Sequence, residues 1–385
     1  MSAMWSGKAW LPTICLSFAA FVFNTTEFVP IALLSDIAKD LQITEPQAGT
    51  LITIYAWYVA LFSLPLMLAC AKVERRKLLG ILFVIFIMSH CAAGLADSYT
   101  TLLISRLGIA TAHAVFWSIT VPLAVRLAPK GGAAKALSLI ATGSSLAMVL
   151  GLPLGRTIGL WFGWRTTFWV IAIIATLTAL VAMKVLPKLG SKESGSVRSI
   201  KLLFKKQALV HLYALTAVIV TAHFILYTYI EPFLMQMRAF SEGLSTMALL
   251  LYGLAGIVGS LLYAKANAHG FVRNMFAPII GIIASLFLIS FAPFHYYPLL
   301  ILLLWGMTFM LFNLNSQERV IRFAQEATDV AMSLYSGIFN IGIGLGAMLG
   351  GLVIAQWGMS ALSFAGVLIA FTTLYFCYYV SREDL

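Results

Sequence analysis

Very few ionisable side chains sit in apolar surroundings in this sequence, and they are regularly spaced. Within apolar runs lie Glu27, Arg106, His113, His223 and Glu231, with His90 and Glu318 nearer the ends of their runs. A charge at the centre of a membrane span costs about 2.5–3.5 kcal/mol or more, so such groups are usually paired or functional. Asn24 precedes Glu27 by one helical turn and His113 follows Arg106 by two, which puts each pair on one helix face. Asn24, Glu27, Arg106 and His113 therefore form a candidate polar track. His223, Tyr227 and Glu231 recur at i, i+4 and i+8 and give the C-terminal half a stripe of its own. The chemistry such groups support is proton transfer. A carboxylate in a low-dielectric site resists ionisation and a neighbouring arginine favours it, so opening the site to water on either side in turn can load and release a proton. Histidine titrates near neutrality unaided. Glu27, Arg106, His113 and Glu231 are the candidates for this role. The alternatives are a Glu27–Arg106 pair that only fixes helix packing, and a Glu231 that is simply solvated.

A second chemistry is recognition of a neutral solute. Trp57 and Tyr58, Trp117 and Ser118, His223 and Tyr227, Asn313, Asn315 and Gln317, and Asn340 all fall within apolar runs. Amides hydrogen-bond hydroxyls, and aromatic faces cover apolar ring surface, as a sugar would require. Asn24, Trp57, Trp117, His223, Tyr227, Asn313, Asn315 and Asn340 are the candidate solute ligands, although helix packing is the better account of any single one except Asn24, Asn313, Asn315 and Asn340. Sugar specificity does not follow from these residues alone.

The elements that must hold these groups are set by composition. The 385 residues are 61% hydrophobic and only 10% charged, against roughly 45–50% and about 25% in a soluble domain. Apolar runs fall at about 11–34, 48–71, 78–96, 101–126, 136–160, 166–186, 208–234, 244–264, 275–292, 298–320, 331–356 and 359–380. Twelve spans leave no room for a large extramembrane domain. About 20 of the 25 Lys and Arg residues lie on the face that carries both termini, which makes that face cytoplasmic. The net charge of +11 is thus a matter of orientation and contact with anionic lipid, not of nucleic-acid binding. The first run, which carries Asn24 and Glu27, reads as a retained span and not a cleaved leader. Cys15, Cys70, Cys91 and Cys377 sit in apolar runs with no ligand spacing, so no disulfide framework, metal site or cofactor is expected. No HExxH, GxSxG or clustered nucleophile is present, so an enzyme is not expected either.

Two six-span bundles are expected, over 1–186 and 208–385, joined by a basic cytoplasmic linker at 187–207. Span five (Ala136-Leu-Ser-Leu139, Gly151-Leu-Pro-Leu-Gly155, Gly163) aligns without a gap with span eleven (Ala331-Met-Ser-Leu334, Gly346-Ala-Met-Leu-Gly350, Gly358). Glu27-Phe-Val-Pro30 is echoed by Glu231-Pro232. Such parallel self-similarity marks transporters built from duplicated halves. Gly151 and Gly155 predict close helix approach, with Pro153 bending the span.

Longer blocks point to a family. Phe23-Asn-Thr-Thr-Glu27-Phe-Val-Pro30, Val73-Glu-Arg-Arg-Lys-Leu-Leu79, His113-Ala-Val-Phe-Trp-Ser-Ile119, Met148-Val-Leu-Gly-Leu-Pro-Leu-Gly-Arg156, Tyr229-Ile-Glu-Pro232 and Ser336-Gly-Ile-Phe-Asn-Ile-Gly-Ile-Gly344 together resemble the major facilitator superfamily over essentially the whole chain. Within it they resemble the drug:proton antiporter-like branch with its SotB-type bacterial sugar efflux transporters. The resemblance implies an all-α fold of twelve transmembrane helices in two pseudo-symmetric bundles, working as a monomer in a bacterial inner membrane. It also implies alternating-access export of arabinose- or thiogalactoside-like solutes in exchange for protons. A multidrug or metabolite exporter, or an uncoupled sugar facilitator, shares the same scaffold. Arg106 matches the family's fourth-span arginine, associated with coupling. In the loop between spans two and three, Leu68 and Lys72 stand where the family has a Gly and an Asp ahead of the basic pair, here Arg76-Lys77. Glu74 is the candidate to replace that Asp in the cytoplasmic gate beside Arg76.

Overall fold

Hydrocarbon offers no hydrogen-bond partner to a backbone, so a chain this apolar has to satisfy its peptide groups internally, and a helix does so within one segment. The computed structural model describes residues 7–43, 45–190, 197–267, 275–291 and 296–382, and all regular structure among them is helical. The helices are α1 (Gly7–Ala32), α2 (Leu34–Asp40), α3 (Glu45–Ala69), α4 (Arg75–Gly94) and α5 (Tyr99–Leu127). There follow α6 (Ala133–Leu146), a π-helical turn at Ala147–Gly151, α7 (Leu152–Phe162), α8 (Trp164–Val185) and α9 (Val197–Leu203). The chain continues through α10 (Gln207–Tyr227), α11 (Ile230–Arg238), α12 (Glu242–Asn267), α13 (Phe276–Leu288), α14 (Tyr297–Phe323), α15 (Thr328–Trp357) and α16 (Leu362–Arg382).

Eleven of these segments among the described residues are long and apolar enough to cross a bilayer, against twelve runs in the sequence. The ninth run differs because its helical stretch, Phe276–Phe291, is shorter. At 1.5 Å per residue it spans about 24 Å, short of the ~30 Å of hydrocarbon. Two other runs are interrupted. The first breaks at Leu33, between α1 and α2, and the seventh breaks after Tyr227. Glu231 therefore lies in the separate helix α11, and the expected stripe through His223 and Tyr227 does not continue into it. The bend in span five is a π-turn at Ala147–Gly151, and Pro153 stands just after it in the first turn of α7, where a missing N–H costs no helical bond. The basic linker contains a helix, α9, that the sequence reading did not foresee.

The chain forms two compact units, Met1–Ser199 with Gln325–Gly337, and Ile200–Ala324 with Ile338–Leu385. In the first unit α5 packs on α3 and α4, α4 also on α8, and α1 on α6. Phe23 on α1 is stacked between Phe86 at 4.1 Å and Phe116 at 3.9 Å, ring centre to ring centre, so one aromatic layer ties α1, α4 and α5 together. In the second unit α12 packs on α14, α10 on α16, and α13 on both α14 and α16.

Small residues set the closest approaches. A Cβ at Gly151 would lie 2.5 Å from the Thr25 hydroxyl and one at Gly155 2.8 Å from Val29, while Gly143 faces Ser17 and Gly159 faces Leu33. Both sequences advance together along this seam, so span five runs parallel to span one. In the second unit the matching glycines repeat the arrangement against α10. A Cβ at Gly346 would lie 2.7 Å from the Thr221 carbonyl, and one at Gly350 2.6 Å from that of Ile225. Gly163 and Gly358, also matched by the repeat, close these helices at φ +85° and +81°, a backbone conformation that strains any other residue.

The end of α8 is held by charge. Arg165 donates to Asp40 at 2.5 Å and, through Nε, to the Ala96 carbonyl at 2.7 Å, and Trp164 adds a bond to Asp40 at 3.2 Å. The Arg165 bond, helped by Trp164 against a smaller effect of burial, holds the Asp40 carboxyl below the usual range.

Two expectations follow from these contacts. Gly350→Ala has to move backbone and is expected to lower the thermal midpoint in detergent by a destabilisation of about 1–3 kcal/mol, whereas Gly190→Ala, with nothing within 4 Å, leaves it unchanged. Because the folded form of Asp40 ionises more readily, its stabilisation is present above the unfolded carboxyl value of about 3.9 and is lost as pH falls through the folded value. Melting curves of Asp40→Asn are expected to lack this acid-dependent component.

Candidate functional site

Four helices of the first unit bring the polar track together. Glu27 lies at the end of the apolar stretch Ala9–Glu27 of α1, and its Oε2 is 3.7 Å from His113 Nε2 on α5. Arg106, two turns earlier on α5, is buried and donates through Nη1 to the backbone carbonyl of Thr26 at 2.8 Å. Its guanidinium also lies 4.2 Å from the ring centre of Tyr55 on α3, a cation–π contact. Tyr55 meets the His113 ring edge-on at 5.6 Å. On α4, His90 accepts or donates at 2.7 Å to the Thr26 hydroxyl, and its Nδ1 lies 2.8 Å from the Phe86 carbonyl.

The contact geometry differs from the pair expected. Among the described residues Glu27 and Arg106 make no nitrogen–oxygen contact within 4.0 Å, and the direct neighbour of the carboxylate is His113. Arg106 is held beside it by Thr26 and Tyr55. Asn24 donates to the Ser144 carbonyl on α6 at 3.3 Å, and Trp117 has its ring 6.2 Å from that of His113. Trp57 is 39% exposed. The side chains of Glu231 and Pro153 lie outside the described residues.

The second unit builds a different environment. His223, on α10, is buried and stacked on Phe309 of α14 at 3.7 Å with 12° between the planes, and on Tyr227 at 4.9 Å. Trp305 of α14 meets it nearly edge-on at 5.0 Å, and the Tyr252 hydroxyl of α12 is 3.5 Å from its Nε2. With Phe224 edge-on at 4.9 Å, five aromatic rings thus surround one imidazole. Further along α14, Gln317 donates to Asn313 at 2.7 Å, while Asn315 donates to the Leu311 carbonyl at 2.8 Å and accepts from Arg319 at 3.0 Å. Asn340 is buried on α15. Sequence reasoning singled out His223 and Tyr227 but missed Tyr252, Trp305 and Phe309, because aromatic residues are common in spans and nothing in their spacing marks these three.

The loop between α3 and α4 begins its second helix with a side-chain cap. Glu74 caps α4, accepting from the backbone N–H groups of Arg76 and Lys77, each at 2.9 Å, and from Leu189 N–H at 2.7 Å. Burial pushes its carboxyl up, but these three N–H bonds outweigh that and leave it below the usual range. Glu74 is therefore a helix cap that also holds the start of the linker. Arg76 donates to the Met183 carbonyl at the end of α8. The buried ion pair of this region is instead Arg75 with Asp329, in the first turn of α15, whose residues to Gly337 belong to the first unit. Removing one partner of a buried pair strands the other at a cost of about 3–5 kcal/mol, whereas removing both costs far less. A double-mutant cycle is expected to show this: Arg75→Met alone lowers the thermal midpoint more than Arg75→Met combined with Asp329→Leu.

The fold is shared with known transporters. The structure superposes on that of the human organic anion transporter TETRAN with a TM-score of 0.78 and 13% identity, covering 96% of this chain and 98% of the other. It superposes equally on the transporter FucP in its outward conformation, at 0.78 and 15% identity, over 97% and 99% of the two chains. A variant of the E. coli fucose:proton symporter FucP matches at 0.77 and 14% identity, over 97% and 99%. The sequence itself matches the Major Facilitator Superfamily over residues 16–335. A multi-pass helical chain with this match belongs to the Major Facilitator Superfamily and is a secondary transporter of small-molecule solutes, not an enzyme.

Proposed function

We propose that the protein exports a sugar or sugar-like solute across a bacterial inner membrane in exchange for protons, with both termini cytoplasmic. The observation that carries the coupling half of this reading is the approach of Glu27 to His113 at 3.7 Å beside the buried Arg106. A proton gained or lost by the carboxylate changes the balance of charge at Arg106, and that change can be linked to which side of the membrane the site faces. Glu231 is retained as a second coupling candidate from its sequence position.

The solute half rests on the neutral inventory of the second unit. His223 and Tyr227 within their aromatic enclosure, together with Asn313, Asn315 and Asn340, suit apolar ring faces and hydroxyls. Asn24, Trp57 and Trp117 are the corresponding candidates in the first unit. Residues Gly151, Pro153 and Gly155, with Glu74 and Arg76, serve packing and gating in this reading. The similar folds include a fucose:proton symporter and an organic anion transporter, so fold alone selects neither solute nor direction.

Counterflow in reconstituted vesicles tests the reading with labelled arabinose, a thiogalactoside and a cationic dye, each with and without a pH gradient. Sugar exchange accelerated by an inward proton gradient is expected. Glu27→Gln is expected to keep exchange but to lose at least tenfold of the gradient response. Dye movement without sugar movement overturns the substrate class, and a gradient response that survives Glu27→Gln overturns the coupling role of Glu27.

A further inference from the structure

The polar track depends on a backbone carbonyl that helix geometry would ordinarily hide. In an α-helix the carbonyl of Thr26 accepts from the N–H four residues on, and that residue is Pro30, which has none. Helix α1 continues past Pro30 to Ala32, so the carbonyl of Thr26, a residue with no exposed surface, is left without its helical donor. Arg106 Nη1 supplies the replacement at 2.8 Å.

The side chain of the same residue is fixed from the other direction. Several span threonines bond the carbonyl one turn back: Thr25 to Phe21 at 2.8 Å, Thr111 to Leu107 at 2.9 Å, Thr216 to Leu212 at 2.8 Å and Thr221 to Ala217 at 2.7 Å. Thr26 instead bonds His90 Nε2 on α4. The Phe86 carbonyl can only accept, so His90 Nδ1 carries the proton. Both ring partners are uncharged and the ring is wholly buried, so His90 is neutral and its Nε2 accepts from the Thr26 hydroxyl.

We propose that Pro30 and His90 are positioning residues for the coupling site: Pro30 frees the Thr26 carbonyl, His90 pins Thr26 in place, and the two together seat the Arg106 guanidinium beside Glu27. The proposal rests on the coupling reading for its purpose, but its geometry is testable without transport. His90 carries no proton between solvent and solute in this scheme. The titratable and charged groups that face Arg106 are Glu27 on α1, Tyr55 on α3, His90 on α4 and His113 on its own helix.

Solid-state NMR of the full chain in lipid vesicles decides it. With ring-labelled histidine, the His90 signal, identified by its loss in His90→Gln, is expected to show Nδ1 protonated and Nε2 bare. A proton on Nε2 overturns the pinning role. Pro30→Ala restores the helical N–H and is expected to shift the guanidinium 15N resonances of Arg106; unchanged resonances overturn the anchor. The midpoint of the Glu27 carboxyl 13C titration, assigned by its loss in Glu27→Gln, is expected to move by at least one pH unit in Pro30→Ala and in Thr26→Val. Thr26→Ser and His90→Gln, which keep the donor and an acceptor respectively, are expected to hold the wild-type midpoint. A merely structural role would lower thermal stability without moving it. If these spectra behave as expected while Glu27→Gln vesicles retain their gradient response, the seating of Arg106 stands and only the coupling reading fails.

Discussion

A peptide carbonyl in hydrocarbon must find a donor within the protein, and the candidate coupling site of this chain is built at a place where a helix fails to provide one. Pro30 removes a donor, and Arg106 supplies another from α5. The π-turn at Ala147–Gly151 interrupts span five beside α1, where Gly151 lets the two backbones close on each other. The seventh span stops after Tyr227 and resumes as the short helix α11.

The two units solve the burial of polar rings in opposite ways. In the first, His90 and His113 sit among hydrogen bonds and charge: one is bonded on both nitrogens, and the other lies beside a carboxylate. In the second, His223 is surrounded by aromatic rings from three helices. Duplication supplied similar frames, visible in the glycine seams of α1 with span five and of α10 with α15. The side chains laid on those frames differ.

Much of this was legible in the sequence because it depends on periodicity. Spans follow from runs of apolar residues, and the shared faces of Asn24 with Glu27 and of Arg106 with His113 follow from helical spacing. The seams follow from repeated glycines. What was not legible depends on contacts between helices or on geometry at helix ends. Nothing in spacing says that Glu27 meets His113 and not Arg106, or that Tyr55 supports the arginine while Trp57, two residues on, is exposed. In the loop ahead of α4, nothing in the sequence marks Glu74 as the cap or Arg75 as the buried cation. The carboxylate was drawn to the free N–H groups of the helix start, leaving the next side chain to form the buried pair. The separate helix α11 was not foreseen because apolar composition continues across the break after Tyr227.

The paired glycines at 163 and 358 record something that side chains cannot. A positive φ is a property of the backbone path, and only a residue without Cβ adopts it freely. Once an ancestral half turned its corner this way, substitution elsewhere could erase nearly every resemblance between the copies, but not the handedness of that corner. The two turns thus act as a fossil of the duplication that outlasts sequence similarity, and they give a fixed point for aligning the halves of chains whose side chains have diverged beyond recognition.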